Sequence, residues 1–279
     1  PLEVVRNYED EIAGRGGKVL FACRGAECGG DPDRLMRETA RTDIRAFLEL
    51  HIEQGRVLEL AREDIGLVSA ISGIIRIEIM VEGQADHAGT TIMGHRKDAL
   101  AAAARIVTAV ETLATTLSKG PTHFAATVGE FSIEPNAANV VPSKARMLID
   151  ARAENRQDMQ NFRDALKQRI ADIAHETGVS IAEPKLVSDN PPTPGDPFLL
   201  DTLEEACTAL GLRHRRMASG AGHDTAWMAR ITRSAMIFIP CKDGRSHAAD
   251  EWAELADMSL GAAVLLETVL KLDQLLSET

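Results

Sequence analysis

The sequence predicts an α/β chain in which a small βαββαβ domain, at about residues 72 to 188, interrupts a discontinuous α/β domain made of residues 1–71 and 189–279. Three observations carry this. The central region alternates apolar and polar residues in strand-like runs separated by two long amphipathic stretches. Both flanks instead mix short apolar runs, glycine-rich turns and helical patterns, as an α/β layer does. The length, 279 residues of which 44% are hydrophobic, suffices for one sizeable core or two domains of common size.

In chain order, "PLEVV" reads as a short buried strand, followed by the glycine-rich "GRGG" and "GAECGG" and a helix-like segment at 41–61. "SGIIRIEIMVEG" (72–83) alternates as a half-buried strand, and residues 95–120 form a long amphipathic helix closed by glycine. Strands are expected at 122–135 and 143–153, a second helix at 155–178 from an Asn-containing cap to Gly178, and one more strand at 179–188. After the loop "DNPPTPGDP" come a helix (198–210), the turn "SGAGHD", the strand "SAMIFIP", the turn "CKDGRSH" and a final helix (251–276). There is no internal repeat and no low-complexity tract.

The 31 Lys and Arg against 42 Asp and Glu give a formal charge of −11, which disfavours nucleic acid and anionic membranes and suits a small-molecule ligand. Apolar runs fall short of the roughly 18 to 20 residues that span a bilayer, and no signal segment opens the chain. The expected location is therefore the cytoplasm. Cys23, Cys28, Cys207 and Cys241 lack a paired CxxC pattern and read as scattered reduced thiols. Pro1, in place of an initiating Met, raises the expectation of a missing front end.

Four stretches combine His with Gly and acids: "LELHIEQG", "GQADHAGTT", "SGAGHDTAWMA" and "DGRSHAADEW". Each has a bland reading. A lone His51 in an apolar helix is more often a satisfied core group than a ligand, Arg152 at a strand end is usually a surface charge, and "SGAGHD" is a tight turn before a helix capped near Asp224. "EDE" at residues 9–11 reads equally as a solvated acidic turn. Four such clusters in one chain shift the balance toward a metal-assisted site.

Together, "LELHIEQGRVLE", "GQADHAGTTIMGHRKDAL", "PNAANVVPSKARMLIDAR", "SGAGHDTAWMA" and "MIFIPCKDGRSHAADEW" resemble, in order, the signatures of the N-carbamoyl-L-amino-acid hydrolase, allantoate amidohydrolase and ureidopropionase group of the dinuclear M20 metallopeptidase superfamily. The resemblance implies a metal-hydrolase-type α/β domain, N-terminally incomplete here, interrupted by a lid that also mediates dimerisation. It implies that His51 and His247 are metal ligands, one for each metal, and that Glu11 shares the metal of His247. Asp10 then falls on the general base, one methylene shorter than the family's glutamate; a one-residue shift would make Glu9 the base and Asp10 the ligand.

Gln54, His87, Asn139 and Arg152 match the family's substrate contacts: Arg152 pairs the substrate carboxylate, while His87, reaching across from the neighbouring subunit, and Asn139 polarise the scissile carbonyl. Ser219, Gly220 and Gly222 would offer hydroxyl and backbone donors. The implied cofactor is a pair of divalent ions (zinc, manganese, nickel or cobalt) that activate a water against a ureido carbonyl, releasing ammonia, carbon dioxide and an amine. The implied partners are a small ureido carboxylate and a second copy of the chain.

The family's HxD motif and bridging aspartate have no counterpart in the sequence, and His95, His123, His175 and His214 lie on lid and helix elements, where they are expected to face solvent. The reading is therefore an amidohydrolase of linear ureido acids with an impaired metal centre, or else a non-catalytic dimeric ligand-binding or scaffold protein of the same descent.

Overall fold

A computed structural model describes residues 44–277. "PLEVV", Glu9, Asp10 and Glu11 lie outside them. From Ala46 onward the chain folds as one compact unit.

The first element corrects an expectation. Residues 41–61 read as helix-like, but Ala46–Ile52 is a strand, β1, and among the described residues of that range only Val57–Ala61 is helical, α1. Period two explains the strand: Leu48, Leu50 and Ile52 pack into one core, leaving Glu49 and His51 for the opposite face. β2 (Ile65–Ile71) is almost wholly buried, which is why its run "IGLVSAI" shows no alternation.

The chain then enters the second sheet through β3 (Gly73–Glu82) and forms a two-residue strand, β4 (Asp86–His87). Helix α2 (Ala99–Leu117) begins where the Asp98 carboxylate accepts from the Ala101 N–H. Its Ala99, Ala102, Ala103, Ile106, Val110 and Ala114 recur at three- and four-residue spacing on the buried face. By length and composition α2 could cross a membrane, contrary to the expectation that no apolar run is so long; its small-residue face lies instead in the core of this sheet.

β5 (Phe124–Glu134), the short β6 (Val140–Val141) and β7 (Lys144–Ala153) follow. Helix α3 (Arg156–Thr177) is capped by Asn155 and stopped by Gly178 in the left-handed region, φ 67°. The expected strand at 179–188 is split, with Pro184 between β8 (Ser180–Ile181) and β9 (Lys185–Asn190). β3 pairs antiparallel with β7, β8 and β9, and β7 with β5, so this sheet draws only on residues between 73 and 190. Phe162, Met159 and Leu166 of α3 close its core against α2.

β10 (Thr193–Pro194) returns to β2. Helix α4 (Pro197–Ala209) starts on the Asp196 cap, then β11 (His214–Ser219), the short α5 (Thr225–Met228), β12 (Arg233–Ile239) and α6 (Leu255–Ser277) complete the chain. β1 runs parallel to β12, β12 antiparallel to β2, and β2 parallel to β11. Ile65 and Leu67 of β2, Ile237 of β12 and residues of α4 and α6 form one core; Val68, Met236 and Phe238 form another on the opposite face, where Ala226 of α5 packs. The sheet is covered on both sides, as an α/β layer requires.

Leu67 is fully buried at the centre of that layer. Leu67→Ala is expected to cost roughly 2–5 kcal/mol of stability, read from the denaturant midpoint at unchanged m-value.

Candidate functional site

The candidate site gathers at the end of β1. The His51 Nδ1 lies 2.8 Å from the Ile52 carbonyl, which can only accept, so Nδ1 is the donor and the ring presents Nε2 away from the backbone. Parallel register sets His51 opposite Phe238, and the His51 ring lies edge-on to His223 with centroids 4.7 Å apart. His223 also packs 5.5 Å from Phe238.

His223 is 8% exposed and Ser219 1%, and the imidazole Nε2 stands 2.7 Å from the Ser219 Oγ. Its Nδ1 faces the Glu49 carboxylate at 4.0 Å. Glu49 is held in turn by Thr225, whose N–H donates to it at 2.8 Å and whose hydroxyl donates to the same oxygen. Burial, and then the neighbouring His51 ring, lower the pKa of His223 despite the opposing pull of Glu49 and Asp224.

Beyond His51 the chain turns on Glu53, a buried carboxylate that accepts from the N–H groups of Val57 at 2.7 Å and Leu58 at 2.8 Å and so opens α1. The turn holds Gln54 at φ 58°, and its Nε2 donates to the Ser246 Oγ at 2.7 Å. The facing loop approaches closely. A Cβ on Gly244, itself at φ 64°, would meet the Gly55 carbonyl carbon at 2.7 Å, so only glycine fits there. His247, at φ 57°, donates its N–H to the Glu251 carboxylate at 3.0 Å. That bond, followed by the Ser246 hydroxyl, holds Glu251 below the usual carboxylate range.

The second sheet contributes Arg152. Its Nε donates to Asp150 at 2.8 Å and its Nη1 to the Gly220 carbonyl at 2.7 Å, which fixes the plane of the guanidinium and leaves Nη2 with no protein acceptor among the described residues. Glu154 ties the same strand end across, accepting from the Ser69 hydroxyl at 2.7 Å and the His123 N–H at 3.1 Å.

Of the residues singled out from sequence, His51 on β1 contacts His223, Arg152 on β7 bonds to Gly220 in the turn that Ser219 opens, and Gln54 bonds to Ser246 in the loop that carries His247. His87 and Asn139 stand exposed on the β4–β6 ribbon, where Ala88 N–H donates to the Asn139 carbonyl at 2.9 Å, and they make no hydrogen bond to the His51 group. Asp10 and Glu11 lie outside the described residues. His214, expected to face solvent, is half-buried with its Nδ1 2.9 Å from the Leu212 carbonyl. Among the described residues no three His, Cys, Asp or Glu side chains come together to hold a metal ion.

Sequence reasoning missed Glu49, Glu53, His223 and Glu251. A signal existed for Glu49: two residues before His51 on a strand, it must share its face.

Comparison with known proteins decides the family. The family model described as Peptidase family M20/M25/M40 matches residues 1–271. The chain belongs to this family. Over 266 residues it is 34% identical to an N-carbamoyl-L-amino-acid amidohydrolase of Paenarthrobacter aurescens, covering 95% of this chain and 62% of that one. It is 38% identical to a ureidoglycolate hydrolase of Oryza sativa subsp. japonica, over 94% of this chain and 54% of the other. The crystal structure of a hydantoinase/carbamoylase family amidase from Burkholderia multivorans superposes with a TM-score of 0.76 at 36% identity, over 82% of this chain and 55% of that one. The M20 chain described here therefore spans about half to three-fifths of the length of these relatives.

In this M20 chain Glu53 carries the turn that presents Gln54. Glu53→Ala strips the buried Leu58 N–H and the part-buried Val57 N–H of their acceptor and is expected to lower stability by roughly 1–3 kcal/mol, measured by urea unfolding.

Proposed function

We propose that the chain binds linear ureido acids, of the kind that N-carbamoyl amino acids, allantoate and ureidoglycolate exemplify, as part of a metal-dependent amidohydrolase. The observation that carries this reading is the seat of Arg152. A guanidinium fixed on two sides by Asp150 and Gly220, with one edge left over, is prepared for a carboxylate. A cavity of about 500 Å³ beside His223, lined also by Ser72, Asn190 and Trp227, is of the size that small ligands fill. The relatives' names supply the ureido chemistry.

The substrate lies with its carboxylate on Arg152 and its ureido end toward His51. In the same reading Gln54 and Asn139 hold the ligand, and the chain pairs through its lid so that the exposed His87 serves a neighbouring subunit.

The metal is where the chemistry becomes conditional. His51 and His247 each offer one imidazole, but the described residues do not complete a site among themselves, so no hydrolytic step is assigned to them. That observation also favours a second reading, in which the chain binds ureido acids without cleaving them.

Two measurements test these readings. Arg152→Ala is expected to weaken binding of N-carbamoyl-alanine about 10- to 100-fold with little change in thermal midpoint; unchanged affinity would refute the carboxylate assignment. After dialysis against manganese or zinc, the chain is expected to retain fewer than two ions and to release no ammonia. Two bound ions with turnover would exclude the binding-only reading and show that other residues complete the centre.

A further inference from the structure

Three side chains beside His51 form a line whose purpose the ureido-acid reading leaves unassigned: the half-buried carboxylate of Glu49, the buried imidazole of His223 and the buried hydroxyl of Ser219. The order acid, imidazole, hydroxyl suggests a nucleophile, but the geometry rejects one. Ser219 is 1% exposed, so no substrate reaches its Oγ, and 4.0 Å between Glu49 and Nδ1 exceeds hydrogen-bond length.

What the line does instead is hold a turn. The Ser219 Oγ accepts from the Ala221 N–H at 3.1 Å and lies 3.2 Å from the Ala221 carbonyl, while its third contact is the His223 Nε2. Upstream, the Ser219 carbonyl accepts from the Ser72 N–H at 2.8 Å; downstream, Glu49 grips Thr225. Between these clamps stands Gly220, whose carbonyl takes the Arg152 Nη1. The lid sits tightly on that residue, since a Cβ on Gly220 would come within 3.1 Å of the His123 Nε2.

We propose that Glu49, His223 and Ser219 are positioning residues: they fix the 219–222 turn so that the Gly220 carbonyl seats the Arg152 guanidinium, and they thereby set the affinity for a substrate carboxylate. The proposal rests on the ureido-acid reading for its ligand, but its structural half can be observed without one. The core sheet, through β1 and α5, dictates where the lid's arginine points. Ser219, read from sequence as a donor to substrate, acts here through its neighbour.

The test uses the full chain, calorimetry with N-carbamoyl-alanine and with its carboxamide, and the NMR signal of the Arg152 Nε–H. Ser219→Ala and His223→Ala are expected to weaken binding of the acid about tenfold, the scale of one misaligned charge-assisted hydrogen bond, and Ser219→Ala, whose side chain is 1% exposed, to leave the carboxamide unaffected. Both should also shift or broaden the Arg152 signal. His223→Gln, whose side-chain amide can reach the Ser219 hydroxyl, should preserve the acid affinity and the signal.

An unaltered Arg152 signal in both alanine variants would overturn the proposal. So would equal losses for acid and carboxamide in Ser219→Ala, or a glutamine variant at 223 as impaired as the alanine one. If the unmutated chain binds neither compound, the ureido-acid reading fails, and the Arg152 signal alone decides the positioning claim.

Discussion

The parallel pairing of β1 with β12 is the constraint on which the rest of the site depends. A strand places alternate side chains on opposite faces, and the register that sets His51 against Phe238 commits Leu48, Leu50 and Ile52 to the core. Glu49 and His51 are thereby sent to the other face together. A slip of one residue would bury the carboxylate and the imidazole among leucines and leave the site empty of both. Burial of three aliphatic side chains thus determines where the polar chemistry stands.

From that face two connections run outward. One passes along the chain, through the Glu53 carboxylate, to Gln54 and on to the loop of Ser246 and His247. The other passes through space, from Glu49 to His223 and Ser219 and then, by the Gly220 carbonyl, to Arg152. Residues distant in sequence meet because both turns follow strands whose ends the sheet has already aligned. The Glu53 carboxylate and the His223–Ser219 pair in these connections are buried, and Gln54 and His247 adopt left-handed backbone conformations beside neighbouring hydrogen bonds.

The sheet and two helices drawn from residues 73–190 are the most legible part of the sequence. The strands alternate because one face is covered and the other is not, and Asn155 and Gly178 mark the limits of α3 as capping chemistry predicts. β1 reads as helical because Phe47, Leu50, Val57 and Leu58 fall on one helical stripe while Leu48, Leu50 and Ile52 alternate as a strand. β2 gave no period, being buried on both faces, and β11 was hidden by charge: Arg215 and Arg216 point to solvent and pair with Glu63, Asp201 and Glu204. At the site, resemblance pointed to His51, Arg152 and His247. His223 escaped notice because a histidine between Gly222 and Asp224 looks like part of a turn; only its packing against two aromatic rings reveals its role.

Helix α2 has a consequence for the chain while it is being made. Its alanine-rich face is covered largely by β5, β7 and α3, all of which lie after it in the sequence. At the ribosome, synthesis at about 5–20 residues per second leaves several seconds between completion of α2 and completion of α3. During that interval a segment with the length and hydrophobicity of a bilayer span is without most of its cover. A nascent chain in this state is a natural client for chaperones and insertion machinery until the elements that follow supply its cover.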